Sequence, residues 1–289
     1  MMSNHKAIIL YPNAGRDIGF EMTQRVIDVL EKHGRRTAFC PIFVDAPAAS
    51  APSRSLQPAV LGDELVGAEM IIAIGGDGTI LHAARAAVET GVPILGINMG
   101  GKGFLAELET GDINLIDSAA TGAYTLENRM MLDVEMIRDG NVVCRDFALN
   151  DVVIRGDNKV VDLKLFGDGQ MIFSFLGDGV VVATPTGSTA YSMAAGGPIV
   201  EEGAHNIIVT PICAHVLEAK SFVLVSDRRV SVELGEKKSN PAYMSVDGGD
   251  HVSIRNGDVV NIRKSERYTQ LVRLSYRSFY RKVNDKLGE

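Results

Sequence analysis

Glu69-Met70-Ile71-Ile72-Ala73-Ile74-Gly75-Gly76-Asp77-Gly78-Thr79 decides how the first half of this chain is built. Glu69–Ile74 is apolar after its first residue and reads as a strand, and the alanine-rich Thr79–Thr90 reads as a helix. A strand apolar on both faces must be covered on both, which places it in a parallel sheet flanked by helices. Moving outward, Lys6–Tyr11, Thr37–Val44 and Pro93–Ile97 give three more such strands. Phe20–His33 carries Met22, Val26, Val29 and Leu30 at helical spacing, with Gly34 placed to close the helix. Asp45–Pro58, rich in Ala, Pro and Ser, reads as a mobile surface loop.

From about Tyr124 strands follow one another without helices. Met131–Arg138 and Val142–Phe147 flank Asp139-Gly140-Asn141, and Val160–Phe166 and Gln170–Phe175 flank Gly167-Asp168-Gly169. Both read as hairpins. Val252–Ile254 and Val259–Ile262, joined by Arg255-Asn256-Gly257-Asp258, read as a third. The expected class is α/β plus β: a Rossmann-like parallel-sheet domain over residues 1–123 carrying GGDGT, then an antiparallel β-rich domain over 124–289.

The chain has 289 residues, with 29 Lys plus Arg against 36 Asp plus Glu, a formal charge of -7. That balance speaks against a nucleic-acid coat or a polybasic membrane binder, and no apolar run approaches the ~18 residues that span a bilayer. Ala7–Leu10 is too short for a secretory signal and reads as strand. Cys40, Cys144 and Cys213 stand singly, which fits a reducing cytoplasm and three buried small hydrophobes rather than a zinc or redox motif. The six histidines are dispersed too, and no protein metal site is expected.

Four stretches carry chemistry. Gly75-Gly76-Asp77-Gly78-Thr79 lets the backbone approach a ligand and opens a helix whose unpaired N–H groups suit phosphate. Asp77 repels phosphate unless it takes a proton or organises a cation; the plainer reading is a turn with Asp77 as helix cap. Gly96–Gly103 spells G-x-x-x-x-G-K but has Gly103 where a Walker loop needs a hydroxyl, so it is not a P-loop. Phe104 and Leu105 beside it are either an apolar wall for a base or core. Thr184-Pro185-Thr186-Gly187-Ser188-Thr189-Ala190-Tyr191-Ser192 crowds five hydroxyl residues with one tyrosine, suiting ribose, phosphate and a stacked base, or else forming a Ser/Thr-rich helix start. Asn150-Asp151 could read a vicinal diol, or be a polar bend.

GGDGT, then Asn98-x-Gly100-x-x-Gly103-Phe104-Leu105, then Asn150-Asp151, then Asp178-Gly179 with TPTGSTAYS and Gly196-Gly197-Pro198, resembles the NAD kinase family. The ending Phe279–Gly288 is similar as well. The resemblance implies a two-domain subunit whose second domain is β-sandwich-like, with the last ~20 residues packing back on the first. It implies phosphoryl transfer from ATP, or in some members polyphosphate, with Mg²⁺ or another divalent cation, to the 2′-hydroxyl of the adenosine ribose of NAD. Asp77 then matches the proton acceptor, with Gly75, Gly76, Gly78 and Thr79 at phosphate. Gly78, His82, Phe104, Asn150, Asp151, Asp178, Thr189, Ala190, Tyr191, Ser192, Ala194 and Asp247 join Asp77 in the NAD-binding set. Leu176, Gly249 and Asp162 depart from the family pattern, at positions that bear on NAD or NADH preference and donor geometry.

The resemblance further implies a homodimer or homotetramer working on small molecules, without nucleic acid or membrane. The other readings are a lipid or sugar kinase sharing GGDGT, and a non-catalytic dinucleotide sensor. The basic run Arg273, Arg277, Arg281, Lys282 and Lys286 reads as a solvated face or a seam between subunits.

Overall fold

The computed structural model describes residues 6–42, 57–101, 103–215, 220–236, 240–274 and 279–288. The Asp45–Pro58 stretch therefore falls outside the described residues except for Gln57 and Pro58. The chain divides into two compact units, Met1–Asn128 with Thr269–Glu289, and Arg129–Tyr268.

The first unit holds strands β1 (Ile8–Pro12), β2 (Thr37–Phe39), β3 (Met70–Gly75), β4 (Ile94–Asn98) and β5 (Leu108–Glu109). They are parallel, in the order β5-β4-β3-β1-β2, and β4 also pairs with Leu271. Helices α1 (Glu21–Lys32), α2 (Leu61–Leu65), α3 (Asp77–Ala87) and α4 (Ile116–Thr121) accompany them. Every residue of β1, β3 and β4 is buried, as continuous apolar runs require. One face of the sheet packs Ile8, Leu10, Ile72 and Ile74 against Val26 and Leu30 of α1 and Ile116 of α4. Gly34 takes φ 66° and ends α1, as its position suggested. The second strand covers Thr37–Phe39, and Ile42 forms an isolated bridge to Asn13; Phe43 and Val44 of the expected strand lie outside the described residues.

The second unit contains β6 (Thr125–Arg138, from Arg129 onward), β7 (Asn141–Ala148), β8 (Asp151–Gly156), β9 (Val161–Gly167), β10 (Gln170–Gly177), β11 (Gly179–Ala183), β12 (Asn206–Ile212), β13 (Phe222–Val225), β14 (Val230–Leu234), β15 (Ala242–Val246), β16 (Val252–Ile254) and β17 (Val259–Arg273, up to Tyr268), with the short helix α5 (Tyr191–Ala194). One antiparallel series runs β10-β9-β14-β17, and β6 pairs with β7. The other sheet runs β13-β12-β11-β8-β15-β16. Leu163, Leu165, Val230 and Val232 from the first meet Val152, Ile154, Val180 and Val182 from the second in one core. This is the α/β-plus-antiparallel-β class that the sequence pointed to.

Two hairpins stand. Arg138 pairs with Asn141 and Gly167 with Gln170, so each loop is two residues, Asp139-Gly140 and Asp168-Gly169. All four have positive φ, the geometry that matches strand twist. The third hairpin does not form. Val252–Ile254 pairs with β15 in one sheet, whereas Val259–Ile262 pairs with β14 in the other. The connection is pinned by Asp258, which is 1% exposed, accepts the Arg255 N–H at 2.8 Å and binds the Arg138 guanidinium at 2.6 and 2.8 Å. A buried charge with such partners turns the chain from one sheet to the other where local alternation suggested a simple return.

The C-terminal helix α6 (Phe279–Leu287) belongs to the first unit, where Lys286 Nζ contacts Glu109 Oε1 at 2.7 Å. The basic run is thus engaged inside this unit rather than only solvated. Arg273 binds Glu107 and Glu127 at 3.2 and 2.5 Å, and Arg281 pairs with Asp285. Arg277 lies outside the described residues. Of the cysteines, Cys40 is buried and Cys144 half-buried, but Cys213 is exposed, in a left-handed bend at φ 44° after β12, so the three are not uniformly core.

Candidate active site

In the first unit the apolar β3 ends at Gly75, and Asp77 opens α3 with Gly76 as its cap residue. Asp77 does not cap its own helix. Its Oδ2 accepts the Phe104 N–H at 2.8 Å and its Oδ1 the Leu105 N–H at 3.1 Å. The glycine before them gives the carboxylate room, because a Cβ on Gly103 would lie 2.7 Å from Asp77 Oδ1 and displace it. Gly75 is equally constrained, with a Cβ falling 2.2 Å from Thr79 Oγ1. Around Gly76 and Gly78 there is open space within 4 Å. Thr79 is 3% exposed and its hydroxyl has no hydrogen-bond partner among the described residues. These five residues thus combine a fixed carboxylate at a helix start with a tight glycine and an unspent hydroxyl.

Phe104 and Leu105 are both buried, at 6% and 4% exposure, and their backbone N–H groups meet Asp77. His82, on α3, contacts the Tyr11 hydroxyl at 2.5 Å and stacks on that ring at 5.8 Å. Burial holds the Tyr11 phenol up at about 12, so it stays protonated beside the imidazole.

In the second unit Leu149, Asn150 and Asp151 enter β8 and meet Asp247, which sits at φ 49° in the turn after β15. The Asp247 carboxylate accepts three backbone N–H groups, Leu149 at 2.7 Å, Asn150 at 2.8 Å and Asp151 at 3.0 Å. Its work in this structure is to hold the Asn150-Asp151 segment. Thr184 clamps the same segment from β11: its Oγ1 donates to the Leu149 carbonyl at 2.6 Å and its N–H to the Asn150 carbonyl at 2.9 Å. Gly187 lies against that carbonyl so closely that a Cβ would come within 2.1 Å.

Held this way, the Asn150 Oδ1 is buried without a hydrogen-bond partner among the described residues. Asp151 is 5% exposed, and burial, with Asp247 adding repulsion, pushes its carboxyl up to about 7. Asn150-Asp151, Asp247 and the start of TPTGSTAYS therefore come together in space.

Thr189 and Ala190 follow in a 3-10 turn, and Tyr191 opens α5. Tyr191 is half-buried against Val153, Val181 and Ile208. Ser192 is fully buried and its hydroxyl contacts Thr210 Oγ1 at 3.0 Å, pointing into the unit's interior, while Ala194 closes the short helix. Asp178 is half-buried between β10 and β11 and lines a cavity of about 620 Å³ with Arg155, Lys159 and Asn240.

Two family models match the chain: the ATP-NAD kinase N-terminal domain over residues 13–125, and the ATP-NAD kinase C-terminal domain over residues 149–274. The chain belongs to the NAD kinase family. It is 37% identical over 289 residues to the NAD kinase of Natranaerobius thermophilus, and 34% identical over 291 residues to that of Ruminiclostridium cellulolyticum, with 98% of both chains covered in each case. Among solved structures it is similar to yeast NADH kinase complexed with NADH, with a TM-score of 0.81 and 23% identity, covering 99% of this chain and 89% of that one. It is also similar to an NAD kinase from Archaeoglobus fulgidus in complex with ATP, with a TM-score of 0.72, 24% identity and 97% of each chain covered. The two structures share the fold. As a member of the NAD kinase family the protein is an enzyme, a kinase.

Sequence reasoning missed several residues of the candidate site. Arg129 is fully buried, yet its guanidinium reaches Thr186 Oγ1 at 3.2 Å and Glu202 at 2.6 Å, anchoring the hydroxyl-rich turn. The signal was an arginine set directly before the apolar run Met130–Leu132. Tyr11 near the end of β1 was missed as well. Asp162, a departure from the family pattern, is 2% exposed and packs on Gly235, where a Cβ would come within 2.1 Å of its carboxylate. No helix among the described residues is long and apolar enough to cross a membrane.

Proposed function

We propose that this enzyme transfers a phosphoryl group from ATP, or from another nucleoside triphosphate or polyphosphate, to the 2′-hydroxyl of the adenosine ribose of NAD, giving NADP. The ribose 2′-oxygen bonds to the transferred phosphorus as the bridging P–O bond of the donor breaks. The hydroxyl proton passes to the Asp77 carboxylate. The observation that carries this reading is the Asp77 carboxylate fixed by the Phe104 and Leu105 N–H groups at the start of α3. A carboxylate locked in place with lone pairs to spare suits a base that must meet one hydroxyl, a contribution of typically ~10²–10⁴-fold.

Gly75, Gly76, Gly78 and Thr79 then serve phosphate through backbone amides and the unspent Thr79 hydroxyl. Asn150 and Asp151 hold NAD hydroxyls. Thr189, Ala190 and Tyr191 line its rings, with Phe104 bordering the adenine and Asp178 at the nicotinamide half. Among the described residues no group of three or more His, Cys, Asp or Glu side chains forms a metal cage. Amides, hydroxyls and one carboxylate fit Mg²⁺ delivered on nucleotide phosphates, as this ion usually is. Bound there it neutralises donor charge; positioning and amide contacts supply the rest.

The test is incubation with Mg-ATP and NAD, NADH, a lipid and a sugar in parallel, with NADP formation read by a NADP-specific dehydrogenase. NADP from NAD supports the reading. Phosphorylation of the lipid or sugar alone, or NAD binding without turnover, overturns it.

A further inference from the structure

The carboxylate of Asp77 is held from a distance by a chain of side chains that ends on the C-terminal helix. Asn98, the last residue of β4, is 1% exposed. Its Nδ2 donates to the Gly101 carbonyl at 3.0 Å and to Glu109 Oε2 at 2.8 Å. The other Glu109 oxygen accepts from Lys286 Nζ at 2.7 Å, and the Glu109 N–H is tied to Asp112 at 2.9 Å. Two further features tie the surroundings of Asn98 to those of Asp77. Met99 N–H donates to the Gly75 carbonyl at 2.8 Å, immediately before GGDGT. A Cβ on Gly103 would lie 3.6 Å from Asn98 Oδ1 and 2.7 Å from Asp77 Oδ1. Phe104 and Leu105, the next two residues, supply the N–H groups that grip Asp77.

Asn98 therefore fixes the backbone on the near side of this grip, and Glu109 fixes Asn98. Glu109 is 44% exposed at its side chain and lies on a strand of two residues. Its carboxylate is held from two sides, by the Asp112 backbone N–H in a capping box and by Lys286, whose side chain is 19% exposed. We infer that Asn98 is a positioning residue for Asp77, and that Glu109 and Lys286 of α6 are its supports. The C-terminal helix thus sets the aim of the proton acceptor although none of its residues touches Asp77 in any described contact. The inference rests on the reading of Asp77 as proton acceptor, and its test separates the two.

The variants are Asn98→Ala, Lys286→Met and Lys286→Arg, beside Asp77→Asn. A displacement of about 1 Å at a catalytic group costs on the order of 10²-fold. Asn98→Ala is accordingly expected to lower kcat by about 10–100-fold with KM for NAD within about threefold. Lys286→Met should lower kcat in the same pattern by a smaller factor, and Lys286→Arg should restore it. Amide resonances of ¹⁵N-labelled Phe104 and Leu105 give a reading that does not depend on turnover. They should move in Asn98→Ala and Lys286→Met in the direction seen in Asp77→Asn, where the anionic acceptor is gone.

A kcat within twofold of the wild type with unmoved resonances overturns the inference, and so does a fall that only tracks loss of folded protein. If Asn98→Ala does not fold, Lys286→Met decides by the same two readouts. A wild-type protein that makes no NADP, or an active Asp77→Asn, overturns the function instead, while the resonances still report whether Asn98 and Lys286 hold the grip.

Discussion

Asp151→Asn should make this enzyme more stable at neutral and alkaline pH, by an amount that depends on pH in a defined way. Asp151 is 5% exposed and none of its described contacts neutralises its carboxylate, while Asp247 lies close enough to repel it. Its carboxyl rises from the usual 3.8 to about 7, chiefly through burial and secondly through Asp247. The folded protein therefore keeps a proton that the unfolded chain has released. Stability from this group is fully present below about pH 4, falls as pH rises, and is lost once pH passes about 7.

At about 1.4 kcal/mol per pH unit the penalty at pH 8 reaches about 4 kcal/mol. The asparagine has nearly the same shape and no proton to lose. Its melting temperature relative to wild type should start near zero difference below about pH 4 and climb to a plateau above about pH 7. At roughly 3 °C per kcal/mol the plateau is about 10 °C. The assay is thermal unfolding of both proteins, without nucleotides, in matched buffers from pH 4 to pH 9. A difference that stays constant across that range, or a variant less stable than wild type at pH 8, refutes the buried-carboxylate reasoning.

Gly187→Ala should cost about 3 kcal/mol or more, because the added methyl meets the Asn150 backbone, which cannot yield as a side-chain tip would; chemical denaturation checks it, and a loss under 1 kcal/mol counts against the clamp. Asp77→Asn should cut kcat by at least ~10²-fold with little change in NAD affinity; steady-state kinetics with calorimetry reads both, and near-normal turnover removes the proton-acceptor role. Tyr191→Ala should weaken NAD binding by about 1–3 kcal/mol whereas Tyr191→Phe keeps it, as stacking of a base on an aromatic ring requires. Equal affinity in both variants by calorimetry would leave Tyr191 as core alone.

The parts of this fold that were legible in the sequence are those fixed by neighbours in the chain. An apolar strand running into glycines and an alanine-rich helix could only be β3 and α3, and Asp-Gly pairs between alternating strands could only be two tight turns. The misreading at 252–262 is of the opposite kind. Which sheet each strand joins depends on Asp258 finding Arg138, 120 positions away, and no local pattern records that. The site divides along the same line. GGDGT and Asn150-Asp151 were visible as motifs. That Asp247 is spent on three N–H groups, and that Phe104 and Leu105 act through their amides, depends on backbone donors, which no residue type announces. Arg129 was missed because a long charged side chain inside a core can be foreseen only once its partners, Thr186 and Glu202, are known.

The interlocking of Leu149–Asp151 with Thr184, Gly187 and Asp247 has a kinetic corollary. The three segments are 35 and 97 positions apart where their bonds form, so none can shape the others before the intervening sheet has closed. A nascent or refolding chain will hold secondary structure well before it holds this cluster, and the cluster will then arrive whole. Recovery of ligand capture after dilution from denaturant should consequently lag behind recovery of far-ultraviolet ellipticity and appear in one step, with no half-competent species in between.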